Sequence, residues 1–313
     1  MPVTSMVDDD SVIIDWEEPI DNGSPILGYY IYVRHSDDAT FSLESDYCDG
    51  SDPAIAASTQ CTIPVTELFA APFNLYWGYN INAKIVAYNQ VGNSAVSSIG
   101  SQAVALTEPD PPRNLQEVEA ERTTTSISFS WSDGAENGGA PILDYRISFD
   151  QALDTYIVRA SEITDKEYTV SGLTASFTYK FKVEARNSFG YSPYSAEIAI
   201  ICATIPDVPA EPQTTNVNEK VQFTWSEPSN NGLPITSYSV MIQKADGDFA
   251  ENIDYCNGAN AGIISATSCK VPLETLKGTP YNLAFGDPVL IKVSALNLYG
   301  ASQYSTVGGL ALI

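Results

Sequence analysis

The sequence predicts an all-β chain built as three tandem β-sandwiches in an extended array, and three observations predict it. One block recurs three times: "VIIDWEEPIDNGSPILGYYIYV" from Val12, "SFSWSDGAENGGAPILDYRISF" from Ser128 and "QFTWSEPSNNGLPITSYSVMI" from Gln222. Each copy runs from a Trp through a short polar turn to Asn-Gly, then Pro-Ile, then a Tyr. A second block follows each: "NAKIVAYNQVGNSAVS", "KFKVEARNSFGYSPYS" and "LIKVSALNLYGASQYS", sharing Ala-x-Asn-x-x-Gly and a later Ser. The third observation is period-two alternation of apolar and polar residues, the signature of half-buried antiparallel strands. Self-similarity at this period means repeated units.

In the first unit the strand ending at Trp16 is followed by "GYYIYVR", which places Tyr29, Ile31 and Val33 inward and Tyr30 and Tyr32 outward. In the second, Ile127, Phe129 and Trp131 alternate with serines. Tyr179, Phe181, Val183 and Ala185 alternate with Lys180, Lys182, Glu184 and Arg186. In the third, Val221, Phe223 and Trp225 alternate with Gln222 and Thr224, and Met241, Leu290 and Leu296 take the outward phase. Pro, Gly and Asn punctuate the gaps, and no stretch carries a sustained helical period. The linkers "TEPDPP" from Thr107 and "TIPDVP" from Thr204 divide the chain into residues 1–107, 108–205 and 206–313. Their paired prolines imply short, stiff connections.

These blocks resemble fibronectin type III repeats, whose pattern is a strand Trp, a Pro/Asn-Gly loop, Pro-Ile before a strand Tyr, and a late strand ending in Ala-x-Asn-x-x-Gly. The resemblance covers nearly the whole chain and implies immunoglobulin-like sandwiches of seven strands with Greek-key connections. It also implies a Tyr that opens the late strand and ties down the preceding turn. Unit 2 keeps it as Tyr179, whereas Ile81 and Val289 stand there in units 1 and 3. Trp to Gly spans 76 residues in unit 1 (Trp16 to Gly92) and 75 in unit 3 (Trp225 to Gly300), but 59 in unit 2 (Trp131 to Gly190). Units 1 and 3 thus form a longer subtype, which resembles repeats of large multi-repeat surface proteins of single-celled eukaryotes. The family's integrin-binding Arg-Gly-Asp is absent from this sequence.

The extra length holds "DYCDGSDPAIAASTQC" (Asp46–Cys61) and "DYCNGANAGIISATSC" (Asp254–Cys269), which align without a gap. The repeated spacing points to intradomain disulfides Cys48–Cys61 and Cys256–Cys269, each closing a hairpin-like loop after the Tyr strand, and hence to an oxidising compartment. Free thiols in a cytosolic protein are the alternative. The runs "TIPVTEL" and "KVPLETL" after the second cysteines read as strands. The fifth cysteine, Cys202, aligns with Ala105 at an alternating position of a last strand. It reads as a buried core thiol, with an intermolecular bridge as the alternative.

The net charge is −24: −12 over residues 1–107, −7 over 108–205 and −5 over 206–313. A chain with this balance and no basic patch is a poor partner for nucleic acid. No run of apolar residues is long enough to span a membrane. The single histidine, His35, sits at the end of a strand pattern, so Ser-His-Asp and Cys-His machinery would all have to use it, and zinc sites lack a second histidine. No nucleophile motif is visible, no cofactor is implied, and an enzyme is not expected. Calcium is a weak candidate at Asp46, Asp49 and Asp52, because Asn257 and Asn260 replace two of these acids in unit 3. Solvated charge is the plainer reading of Asp8–Asp10 and of the linker acids Glu108 and Asp110.

Protein contact is the better-supported reading. The candidate contact residues are Tyr30 and Tyr32 in unit 1, Phe189 and Tyr191 in unit 2, and Met241, Leu290, Leu296, Leu298 and Tyr299 in unit 3. Packing against a neighbouring unit is the alternative for each. Asn22-Gly23-Ser24 is a glycosylation sequon weakened by Pro25. The expected function is that of a non-enzymatic extracellular or cell-surface protein, structural or adhesive, contacting a protein partner or its own copies as a filament or surface layer. An intracellular cytoskeletal scaffold and a carbohydrate-binding accessory region of a secreted enzyme are the alternatives.

Overall fold

A computed structural model of the chain describes residues 3–8 and 11–313. It contains three pairs of antiparallel sheets, each pair enclosing its own core. In the first unit the strands Val3–Asp8, Ser11–Trp16 and Gln60–Pro64 form one sheet, with Ser11–Trp16 central. The strands Phe41–Leu43, Ile26–Arg34, Asn80–Asn89 and Gly100–Val104 form the other in that spatial order. The second unit pairs Glu167–Ser171, Ser126–Ser132 and Arg113–Glu117 against Ile157–Ile163, Asp144–Phe149, Thr178–Arg186 and Ile198–Ile201. The third pairs Gln213–Val217, Lys220–Thr224 and Ser268–Pro272 against Phe249–Glu251, Ser237–Gln243, Ile291–Asn297 and Gly300–Ala301. Asp9 and Asp10 of the acidic N-terminal run lie outside the described residues.

Alternation in the sequence becomes burial. Val12, Ile14 and Trp16 are buried while Ser11, Ile13 and Asp15 are less so, because successive side chains of a strand point to opposite faces. The recurring Trp and Tyr join the two sheets of each unit. Trp16 meets Tyr29 edge-on at 5.1 Å, Trp131 meets Tyr145 at 5.3 Å, and Trp225 meets Tyr238 at 5.2 Å between ring centroids. Edge-to-face pairs of this kind add about 0.5–1.5 kcal/mol beyond their area burial.

The Ser that follows the Asn-x-x-Gly motif has a physical task, and so does a second Ser three residues on. Ser94 and Ser97 accept hydrogen bonds from the amides of Ala87 and Ile85 through their hydroxyls. Ser192 and Ser195 do the same for Ala185 and Val183, and Ser302 and Ser305 for Ala295 and Val293. Each hydroxyl donates to the carbonyl of the residue after it. The returning strand has left the regular ladder here, and the hydroxyls replace the acceptors that its backbone no longer offers.

The cysteine segments differ from the expected hairpin. Asp52 accepts from the Ala54 amide and caps a short helix, Pro53–Ser58, that Thr59 ends at φ 52°. Asn260 caps Ala261–Ala266 in the same way, ended by Thr267 at φ 45°. Asp/Asn here is an N-cap, and Pro53 stands where a helix tolerates proline. The runs after the second cysteines also differ. The strands stop at Pro64 and Pro272, and Val65–Phe69 and Leu273–Lys277 are helical turns. Val65 and Leu68, three residues apart, both reach the core, a spacing that a turn of helix satisfies and a strand does not.

The cysteines themselves are bonded, Cys48 to Cys61 and Cys256 to Cys269, with Cα–Cα distances of 5.3 Å in both. All four are buried against the cores of their units. Replacing Cys48 and Cys61 together by serine is expected to lower the stability of unit 1 by about 3 kcal/mol, the loop-closure term for about 14 residues. Denaturant unfolding followed unit by unit should show that loss in unit 1 and an unmoved transition in unit 2.

Candidate interaction surfaces and unit junctions

The Asn of the Ala-x-Asn-x-x-Gly motif bonds in two directions. Its side-chain oxygen closes its own turn: Asn187 Oδ1 accepts from Phe189 and Gly190, and Asn297 Oδ1 accepts from Tyr299. Its amide group holds the chain arriving from the preceding unit. Asn187 Nδ2 donates to the Thr107 carbonyl at 2.7 Å and the Asn137 carbonyl at 2.9 Å. Asn297 Nδ2 donates to the Thr204 carbonyl at 2.7 Å and the Asn230 carbonyl at 3.2 Å. Both asparagines are buried, so each needs these partners for its side-chain amide.

The linkers are fastened further by the Asn-Gly loops. Thr107 and Asp110 donate their amides to Gly138 and Glu136, and Asp110 accepts from the Glu136 amide. Thr204 and Asp207 donate to Asn231 and Ser229, while Asn231 Nδ2 donates to the Ile205 carbonyl and to Asp207. Gly138 is required here: it sits at φ 69°, and a Cβ on it would stand 2.2 Å from the Thr107 oxygen.

The candidate contact residues fall into two groups. Tyr299 belongs to the second junction, where its hydroxyl donates to the Ile201 carbonyl at 3.0 Å and Arg122 lies 3.7 Å over its ring. Glu117 grips the same guanidinium at 2.8 and 2.9 Å, and burial pushes the Tyr299 phenol up from its ordinary range. Tyr191 packs under Arg146 at 3.9 Å, and Arg146 pairs with buried Glu184. Met241, Leu290 and Leu296 are half-buried. Tyr30, Phe189 and Leu298 are exposed, Leu298 at 75%. Tyr30 stacks on Tyr88 at 4.8 Å, and Tyr32 lies half-buried beside Lys84. Asn22 is exposed at φ 52° in the Asn-Gly loop of unit 1.

One feature of the outward face escaped the sequence reading. Lys84, Lys182 and Lys292 occupy one equivalent position, five residues before the motif Asn. Each holds an aromatic ring of a neighbouring segment: Phe41 at 3.9 Å, Tyr156 at 4.1 Å and Phe249 at 4.1 Å. Cation–π contacts of this kind stabilise by about 0.5–1 kcal/mol when exposed. The signal was the repeated Lys itself, present in all three copies of the second block.

Among the described residues no cluster of His, Cys, Asp and Glu is arranged to hold a metal ion. Two of the three acids considered for calcium are used locally: Asp49 accepts from Ser51 and Asp52 caps a helix. His35 bonds Ser42 through Nε2 and stands edge-on to Phe73. Cys202 is a free, fully buried thiol beside Thr123, and burial pushes its pKa up. Among the described residues no helix is long and apolar enough to cross a membrane.

The model of the fibronectin type III domain matches residues 110–201. The middle unit is a fibronectin type III domain. Some of the proteins similar to the chain carry such domains by name. A mouse fibronectin type III domain containing protein 3C1 is 25% identical over 80% of this chain and 17% of its own length. Human pikachurin is 28% identical over 62% of this chain and 18% of its own. The chain therefore spans about a fifth of the length of the curated relatives it matches. Among solved structures, the FN1-FN3 domains of chicken CNTN1 cover 98% of this chain at 15% identity and TM-score 0.37, with 94% of that chain covered.

Two outcomes follow. Asn297→Ala strands the Thr204 and Asn230 carbonyls and the Tyr299 amide, and should destabilise unit 3 by roughly 1–3 kcal/mol, read by calorimetry. Cys202 should resist a thiol reagent in the native protein and react once the chain is unfolded, because a buried thiol with a raised pKa offers little thiolate.

Proposed function

We propose that the chain is a non-enzymatic array of fibronectin type III-like sandwiches, at the cell surface or outside the cell, whose role is to hold protein-binding faces at fixed spacing. The observation that carries this reading is the pair of stapled units around tied junctions. Disulfides persist in oxidising compartments, and two buried ones in equivalent loops serve a protein that has to stay folded there. The junction hydrogen bonds add stiffness between units, which is what spacing requires. The domain borders fall after residues 107 and 205, in the two linkers that the motif asparagines hold.

The partner is protein. The exposed apolar side chains Tyr30, Phe189 and Leu298 stand on sheet faces and loop tips, where tandem sandwiches offer contact area. Nucleic acid is disfavoured by the net charge of −24. Units 1 and 3, with their stapled loops, are the subtype suited to a large multi-repeat surface protein.

Peptide mapping under non-reducing conditions, on protein from its native source, tests the compartment. Peptides linking Cys48 to Cys61 and Cys256 to Cys269, with Cys202 as a free thiol, are expected. Four free thiols at those positions would overturn the extracellular assignment.

A further inference from the structure

Each stapled unit carries the same hollow on its four-stranded sheet, between the Tyr strand and the cysteine segment. In unit 1 it measures about 250 Å³, and Tyr30, Leu43, Glu44, Asp49, Ser51 and Tyr88 line it. In unit 3 it measures about 200 Å³, and Ser239, Glu251, Asn257, Ala259 and Leu296 stand at the positions of Tyr30, Leu43, Asp49, Ser51 and Tyr88. The unit 3 hollow is open although unit 2 precedes it, and unit 3 residues alone line it. The opening is thus a property of the stapled unit and not of its neighbours. Its floor is built the same way twice. Tyr29 donates its amide to the Gly50 carbonyl and Tyr238 to the Gly258 carbonyl, both at 3.0 Å.

The walls differ, and the difference follows from one cross-strand pair. Gly28 faces Tyr88 in unit 1, Asp144 faces Arg186 in unit 2, and Ser237 faces Leu296 in unit 3. A Cβ on Gly28 would stand 2.5 Å from the Tyr88 hydroxyl oxygen, so the glycine lets that ring lie across the strand. There it stacks on Tyr30 at 4.8 Å, and Tyr30 remains exposed. Asp49 is exposed at the rim, and hydrogen bonds from Ser51 hold its carboxyl below the usual range.

On the same face unit 2 seats a guanidinium of its own on a tyrosine. Arg146 holds the position of Tyr30 and lies 3.9 Å over Tyr191. Unit 1 has the rings but sends its two basic side chains elsewhere: Arg34 pairs with Asp38, and Lys84 lies over Phe41. Its net charge is −12.

We propose that the unit 1 hollow binds an arginine side chain of a protein partner, with the guanidinium on the Tyr30–Tyr88 pair and Asp49 beside it. A guanidinium stacks on an aromatic ring and pairs with a carboxylate at once, whereas an ammonium is a point charge that does not stack. The acidic unit draws a basic segment toward this face. The inference rests on the protein-contact reading above and names the chemistry of the partner.

A ¹⁵N chemical-shift titration of the whole chain at about 0.15 M salt tests it. The probe is the blocked pentapeptide Gly-Arg-Gly-Arg-Gly, and its control carries citrulline, which keeps the shape and loses the charge. The arginine peptide should move the amides of Tyr30, Asp49, Gly50 and Tyr88 and leave those around the unit 3 hollow in place. The citrulline peptide should move none of them. Tyr30→Ser, Tyr88→Leu and Asp49→Asn install the unit 3 residues, and each should weaken binding about fivefold. Asp49→Asn keeps its turn, since Asn257 accepts from Ala259 as Asp49 does from Ser51. Circular dichroism checks that the variants fold, and the citrulline comparison on the unaltered chain decides the matter even if one does not. Equal shifts from both peptides, or shifts spread evenly over the acidic surface, contradict the proposal. So does a neutral chitin oligosaccharide that moves the same amides when the arginine peptide does not. Any of these results, with the two disulfides still found in native material, leaves the proposed function standing and removes only the arginine-bearing partner.

Discussion

The arrangement depends on one side chain used twice: the asparagine that ends the late strand of each unit. An amide offers an acceptor and two donors on one rigid plane. Here the acceptor folds the turn of its own unit, and the donors bind a linker residue, Thr107 or Thr204, and the Asn-Gly loop beside it. Folding of one unit and seating of its predecessor thus share a residue. Asp would lose the donors and Ala would lose everything, which is why this position does not read as a generic turn residue. In unit 1 the corresponding Asn89 donates to Ser24 and Asp21 of its own loop, and its oxygen closes the turn through Val91 and Gly92.

Much of the fold was legible because its rules are local. Alternation set which of Tyr29 and Tyr30 is buried, and the repeated block marked the Trp and the Tyr without revealing that their rings meet between the sheets. The helical turns after the cysteines were not legible. Val65–Phe69 is five residues long, too short to display a period, and only the burial of Val65 and Leu68 by the folded core distinguishes it from a strand. The contact surfaces were harder still. Exposure at a loop tip was readable for Leu298, but its neighbour Tyr299 is covered by Arg122 and the carbonyl of Ile201. Arg122 lies in another unit, and no local pattern reveals a contact made across a junction.

The lysine clamps show a different kind of omission. Lys84, Lys182 and Lys292 were visible in every copy of the repeat but look like ordinary outward residues of a half-exposed strand. Their aromatic partners lie on other segments: Phe41 and Phe249 stand seven residues before Cys48 and Cys256, in the register of the cysteine blocks, but Tyr156 belongs to a unit without that block. In a chain with only 15 basic residues against 39 acidic ones, three of them hold aromatic rings, and Lys182 pairs with Glu197 at 3.9 Å as well.

The central claim is that the motif asparagines make the three units one stiff body. Backbone ¹⁵N relaxation and residual dipolar couplings measured on the whole chain test it most directly. A single alignment tensor that fits all three units, and that splits into separate tensors in the Asn187→Ala variant, is the predicted result. Separate tensors for the three units in the unaltered chain would contradict it.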